Sequence, residues 1–467
     1  MTLPRRIFGI ETEYGITCAA IGGGSPPISA EDAAELLFAP ITAARQSTNA
    51  FLPNGARLYL DVGAHPEYAT AECDSLQDLL LNDLAGDAIL ADLIVKADAQ
   101  LARKNIAGKL HLLKNNHDAI GNSYGCHENY LIHRRRDYRE RIGSLVAFFV
   151  TRQILVGSGY LDPGRQNIRP AHFAISQRAN KIFDAVSNAS TRTRPMINTR
   201  DEPHGDAQRY RRMHVIVGDS NMSESTTALK IAMTEAVLNV CSLGLKFPEF
   251  ELAYPVHAIR QAAQDLDGKA LLEMADGRSA SALEIQTAYY EFVQEVYAAQ
   301  GWFSELDELR KYAFDLWYRA LQALHSGNHE NVANEIEWIA KRKLLDTYRE
   351  RLSCGYDDFR LARIDFAWHD ISTDGLRNSL YASGFLRSIV QDADIVVAKT
   401  IPPQTTRAKL RGDFIAAAMD HRRDYFADWQ NLKLIHDADP RSVLLQDPFC
   451  AFDAQVMEMI EQMEITQ

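Results

Sequence analysis

Cysteine is sparse and scattered: Cys18, Cys73, Cys126, Cys241, Cys354 and Cys450 form no C-x-x-C pair. Neither a zinc ribbon nor a disulfide framework is indicated. Long apolar runs are missing too. The longest, Leu145–Val150, falls far short of the ~20 residues a membrane helix needs, and Glu11 and Glu13 interrupt any signal-peptide core. The chain is therefore expected in the cytoplasm, away from membranes. An excess of positive charge is absent, since 50 Lys and Arg stand against 62 Asp and Glu for a net charge of −12. That disfavours nucleic acid as a general partner. The standard nucleotide and hydrolase signatures are also lacking: no G-x-x-x-x-G-K-[ST], no G-x-G-x-x-G, no H-E-x-x-H and no G-x-S-x-G.

What is there is an ordinary globular mix, 46% hydrophobic and 24% charged over 467 residues, enough for one large domain plus a small one. The first half reads as strand-rich and the second as helix-rich. Arg5–Ile16 alternates with Glu11 and Glu13 on one face and Phe8 and Ile10 on the other. Arg57–Asp61 alternates likewise, and Lys109–Asn115, His127–His133 and Met213–Gly218 are further strand candidates. Helices are predicted from Ser75 to about Lys104, after Asp219–Ser225 to about Leu243, and in three segments between Ser281 and Leu352. Their cap signals are Ser281 with Glu284, Ser304 with Asp307, and Asn328. Pro402-Pro403 marks a boundary between a domain of residues 1–400 and a small unit of residues 401–467, which opens with the basic stretch Thr405–Gly412.

Chemistry concentrates on the strands. Residues two apart on a strand project ~7 Å apart from one face, so Glu11 and Glu13 repel unless a cation sits beside them. Mg²⁺ suits such carboxylates and leaves positions for phosphate; an exposed edge strand would read the same. Arg57, Tyr59 and Asp61 share a face just before Val62–Glu72, which adds Glu67, Thr70 and Glu72. Arginine suits phosphate, and the acids suit a metal or a proton. His127, Asn129 and His214 lie on strand candidates beside polar turns and are candidate ligands or satisfied structural residues. Arg192, Arg194, Arg200, Arg209, Arg211 and Arg212 surround Asn198–His204 as anion clamps or surface ion pairs. From the residues alone, this is a strand-built, metal-dependent phosphate site without a P-loop.

Long blocks carry a resemblance. Gly-Ile-Glu-Thr-Glu-Tyr-Gly at 9–15, Asn54–Gly63, His65–Ser75, Asn122–Tyr130, Ile197–His204, His214–Glu224 and Pro402–Gly412 are similar to the Pup ligase/Pup deamidase family, across almost the whole chain. The text Ala69-Thr-Ala-Glu-Cys-Asp74, and the short span Thr17–Pro53 where the deamidase/depupylase branch carries a long loop, resemble the ligase branch. The resemblance implies an α+β, glutamine-synthetase-like fold: a curved antiparallel sheet backed by helices, with a small C-terminal domain. It implies a monomer that uses ATP and Mg²⁺ to join Pup, the prokaryotic ubiquitin-like protein, to lysines of target proteins for proteasomal degradation. It also implies roles: Asp61 as catalytic base, Glu11, Tyr59 and Glu67 as Mg²⁺ ligands, and Arg57, Thr70 and Trp429 as ATP contacts. Glu13, His127 and His214 stand as further ligands by analogy, and Arg200, Arg212 and Arg407 as phosphate or carboxylate contacts. The competing readings are the hydrolytic sister, a dead scaffold that binds Pup, and a small-molecule amine ligase.

Overall fold

The computed structural model describes residues 2–61, 63–118, 121–164, 169–188, 194–435 and 441–465. Strands β1 (Phe8–Glu13), β2 (Gly15–Ala20), β3 (Asn49–Phe51), β4 (Arg57–Asp61), β5 (His65–Ala69), β6 (Gly108–Leu113) and β7 (Cys126–His133) fall in the first third of the chain. They are followed by β8 (Tyr160–Asp162), β9 (His172–Ala174), β10 (Asp184–Ser187), β11 (Pro195–Asn198) and β12 (Tyr210–Val215). Eight of these make one sheet in the order β10-β11-β12-β7-β1-β5-β4-β3. Its pairings are antiparallel except β10 with β11, which run parallel.

The alternation seen in Arg5–Ile16 belongs to two strands, not one. The chain leaves the main sheet at Tyr14, whose hydroxyl donates to Asp87 at 2.6 Å, and β2 then pairs with β6 in a separate ladder. Along β1 the odd and even positions part as the pattern requires. Phe8 and Ile10 join Tyr130, Met213 and Val215 in the largest apolar core. That core is filled from behind by the Leu76–Arg103, Tyr138–Thr151 and Glu224–Ser242 helices, and by the Ala282–Gln300 and Glu308–Ser326 pair. Two buried salt bridges sit under the sheet: Glu128 with Arg152 (2.9 Å) and Lys114 with Asp83 (2.8 Å). Glu128 points away from the polar face because its neighbours His127 and Asn129 point toward it.

Ser281 and Glu284 form the expected capping box. The start assigned to Ser304 lies elsewhere: residues 302–305 are a 3₁₀ turn, and Asp307 caps the following helix. Asn328 likewise caps a 3₁₀ turn, His329–Val332, and the helix with Trp338 begins only at Glu337. Both corrections reflect short i→i+3 turns that share cap chemistry with helices.

Beyond Pro402-Pro403, Leu410, Phe414, Leu432, Val443 and Met459 form a separate apolar cluster, which also takes in Phe51 from β3. The two arginines of the basic stretch Thr405–Gly412 point inward. Arg407 and Arg411 lie on the helix Arg407–Asp420, almost wholly buried. Among the described residues, no helix is long and apolar enough to cross a membrane.

Candidate active site on the polar sheet face

Residues directly opposite in an antiparallel pair share a face. Three rows follow from the register. Tyr59, Glu67 and Glu13 lie across β4, β5 and β1; Arg57, Ala69, Glu11 and His127 run across β4, β5, β1 and β7; and Gly9, Asn129, His214 and Asn198 cross β1, β7, β12 and β11. Opposite the greasy core, the sheet therefore carries a concentrated acidic and imidazole face.

Two groups of ligand-type side chains form on it. Glu11, His127 and His214 have donor atoms within 4.8 Å of one another, and so do Glu13, Asp61 and Glu67. In the first group His127 Nδ1 lies 3.4 Å and His214 Nε2 3.8 Å from Glu11 Oε2, while the Asn129 amide donates to Glu11 Oε1 at 3.0 Å. Burial opposes ionisation of Glu11, but the hydrogen bond from His127 and the charges of His214, His127 and Arg212 hold it well below the usual carboxylate range. His214 Nε2 is buried without a hydrogen-bond partner, and burial pushes that imidazole down to about 3. In the second group burial, then the nearby Glu11 and Glu13 charges, push Glu67 up to about 9. The Tyr59 phenol, raised by burial and by Glu11 and Glu67, stays neutral and hydrogen-bonds Glu67. Asp61 is exposed at the end of β4.

Gly125 keeps the two groups adjacent, because a Cβ there would collide with His127 and lie 2.9 Å from Glu13 Oε1. Arg57 is held by Asn49 (2.8 Å) and lies 4.0 Å over the Tyr59 ring. A cleft of about 600 Å³ adjoins Glu11 and is lined by Thr70, Arg212, His204, Arg407 and Trp429. Trp429 and His204 also wall a second, larger opening of about 1200 Å³ that contains Arg57. The Trp429 indole packs edge-on against Phe51 at 4.9 Å. Thr70 Oγ1 accepts from the Ile10 N–H at 3.0 Å.

Thus Glu11, His127 and His214 meet, Glu67 meets Glu13, Asp61 and Tyr59, and Thr70 and Trp429 line one cleft. Arg212 hydrogen-bonds Asn129 at 2.6 Å and lies 3.7 Å from Glu11. Arg200 is exposed, 3.6 Å from Glu202, and its charge is among those that bear on His214. Arg407 lines the cleft while its donors go to Glu72, Leu445 and His204. Val62 and Arg192 lie outside the described residues. Sequence reasoning named Glu72 and the stretch holding Arg411 without pairing them, and passed over Arg178. Arg178 is buried, donates to the carbonyls of Tyr124 (2.7 Å) and Ile216 (3.1 Å), and lies near the Glu13 charge. No spacing rule marks it, because its contacts come from the turn before β7 and the residue after β12.

The family described as Pup-ligase protein matches residues 6–433. The Pup–protein ligase of Xylanimonas cellulosilytica is 47% identical over 464 residues, 99% of this chain and 100% of its own. That of Saccharomonospora viridis is 47% identical over 460 residues, covering 98% and 99%. Among solved structures, the complex between Pup and its ligase PafA superposes with a TM-score of 0.92 at 40% identity, covering 99% of this chain and 92% of that one. The Pup ligase PafA in complex with ADP gives 0.85 at 39% identity, with 96% of each chain covered. A polar sheet face of this composition, in a chain matched from end to end by these proteins, places it in their family: the chain belongs to the Pup ligases.

Proposed function

We propose that this chain joins the side-chain carboxylate of the C-terminal glutamate of Pup to lysine ε-amines of target proteins, using ATP and Mg²⁺ and acting as a monomer in the cytoplasm, so that the tagged proteins go to the proteasome. The observation that carries this reading is the convergence of carboxylates from β1, β4 and β5 beside a cleft walled by Thr70 and Trp429. The relatives matched over their full length carry the ligase name, which favours ligation over the hydrolytic sister activity.

Two features support a divalent cation here. Three carboxylates stand within 4.8 Å of one another, and His214 has a buried, unpartnered nitrogen facing Glu11. Glu11 and Glu67 would hold the ion, with Tyr59 as a neutral oxygen donor and Glu13, His127 and His214 beside them. Such an ion, when bound, offsets the charge gathered as a carboxylate approaches a triphosphate.

The rest is done by this chain's own side chains. A carboxylate is a poor electrophile at neutral pH. The Pup glutamate oxygen bonds to the γ-phosphorus of ATP, ADP departs, and a γ-glutamyl phosphate remains. Arg57 and Arg212 face the charge that develops, and Thr70 and Trp429 fix the nucleotide, the indole packing near its base. The lysine nitrogen then bonds to the carbonyl carbon and the C–O bond to phosphate breaks. The proton leaving nitrogen passes to Asp61. An aspartate is ordinarily a far weaker base than a lysine amine, so Asp61 acts by position, taking the proton as the C–N bond forms. Its exposure at the strand end leaves it open to a lysine from a folded protein.

Incubation with ATP, Mg²⁺, Pup ending in glutamate and a lysine-bearing protein should give an isopeptide-linked conjugate and one ADP per bond. Conversion of Pup ending in glutamine to the glutamate form without ATP consumption, and no conjugate, would assign the hydrolytic activity instead.

A further inference from the structure

Resting on the reading just given, we propose that Glu72 is a positioning residue for the nucleotide, acting through Arg407 and Arg411 to fix the three segments that carry Arg57, Thr70 and Trp429 in the two adjoining openings. Glu72 follows Thr70 by two residues. Its carboxylate accepts from Arg407 Nε at 2.9 Å and from the Arg411 guanidinium, with Arg411 Nη1 at 3.2 Å from Oε1. Arg411 also donates to the Gly55 carbonyl at 2.9 Å, two residues before Arg57, and to the Trp429 carbonyl at 3.2 Å. Its guanidinium carbon stands 5.0 Å from the Trp429 ring centroid. Arg407 reaches Leu445 at 2.8 Å and the His204 carbonyl, and the Thr406 hydroxyl donates to the Glu72 carbonyl at 2.7 Å. The backbone at Gly55, Trp429, Leu445 and His204 is thereby tied to one carboxylate, each through two hydrogen bonds.

Attaching the C-terminal unit does not by itself require these charges. Replacing a buried ion network with apolar side chains of similar volume is often neutral or stabilising. Glu72 is 8%, Arg407 2% and Arg411 0% exposed, so the triad carries nearly the full desolvation cost. What it supplies is direction: planar guanidinium forks fix angles as well as distances.

The test uses the full chain as wild type, Glu72→Gln, Glu72→Asp and Arg411→Lys. It measures ADP affinity by calorimetry with Mg²⁺, KM for ATP, KM for Pup, kcat and thermal midpoint. Glu72→Gln should raise both the ADP Kd and the KM for ATP at least tenfold. The KM for Pup should stay within twofold and kcat at saturating ATP should fall less than threefold. Glu72→Asp, which keeps the charge, should recover part of the affinity. A purely architectural triad would lower the thermal midpoint and the active fraction, hence kcat, without moving the ADP Kd. An ADP Kd within twofold of wild type in folded Glu72→Gln overturns the proposal. If Glu72→Gln does not fold, Arg411→Lys keeps the charge but loses the fork to Gly55 and Trp429. It must then show the same tenfold loss, and wild-type ADP affinity in it overturns the proposal. The ADP titration does not depend on conjugation: a wild-type chain that binds ADP but forms no conjugate refutes the proposed function, while the variants still decide the role of Glu72.

Discussion

Replacing Glu128 by glutamine should destabilise the protein by about 3–5 kcal/mol, the cost of stranding one member of a buried ion pair. The pair lies directly behind the acidic face: Glu128 and Arg152 are both 0% exposed at the side chain and joined by two hydrogen bonds, at 2.9 and 2.5 Å. The amide retains one acceptor oxygen but turns an N–H donor toward the guanidinium. Arg152 would keep only neutral partners, the amide oxygen and Thr234 Oγ1 at 2.7 Å among them. The Tyr130 hydroxyl, which donates to Glu128 at 2.7 Å, is also disturbed. Substituting both members by methionine removes the stranded charge. The double variant should therefore lose only about 1–2 kcal/mol, chiefly for the Tyr130 hydroxyl, and so be more stable than Glu128→Gln. Urea unfolding followed by far-ultraviolet circular dichroism measures all three proteins. A loss below about 1 kcal/mol in Glu128→Gln, or a double variant no more stable than the single one, would refute this reasoning about the charge behind the sheet.

Asp61→Asn should bind ATP with near-wild-type affinity yet conjugate Pup about 10²–10⁴-fold more slowly, the usual worth of a positioned general base. Quenched-flow assays should find the γ-glutamyl phosphate accumulating, and equal losses in binding and turnover would contradict a base role. Burial alone would raise the Glu72 carboxyl, but the Arg411 and Arg407 charges hold it down to about 2, below the ordinary ~4.3. Its stabilisation, on the order of 3 kcal/mol, is therefore fully present above pH ~4.3 and lost as pH falls through about 2. The thermal-midpoint gap between wild type and Glu72→Gln should accordingly be widest at pH 7 and narrow by pH 3. A gap that stays constant across that range would count against the ion pairs.

Strand alternation made half of the site legible in advance. Period-two spacing alone puts Glu11 with Glu13, Arg57 with Tyr59 and Asp61, and His127 with Asn129, each on a polar face. It does not say which strands become neighbours. That β1 lies between β5 and β7, so that Glu11 meets His127 on one side and lies across β5 from Arg57 on the other, depends on non-local pairing over more than a hundred residues. The division of the two β1 carboxylates between two ligand groups follows from that register and had no local signal. Arg407 and Arg411 read as part of a basic stretch, and Arg407 as an anion contact, with nothing local to show a counter-ion; that counter-ion, Glu72, lies some 335 residues earlier. The apparent caps at Ser304 and Asn328 failed for a simpler reason: the same side chains serve 3₁₀ turns, and only tertiary packing decides how far the turn extends.

In the proposed function, side chains from separate strands of one sheet would grip a divalent ion that in turn holds a triphosphate. The most direct measurement is a crystal structure with Mn²⁺ and a non-hydrolysable ATP analogue, located by anomalous scattering. Manganese should lie within ~2.2 Å of carboxylate oxygens of Glu11 or Glu67 and of nucleotide phosphate oxygens, with the base beside Trp429. Manganese bound away from β1 and β5, or a nucleotide outside the cleft of Thr70 and Trp429, would contradict it.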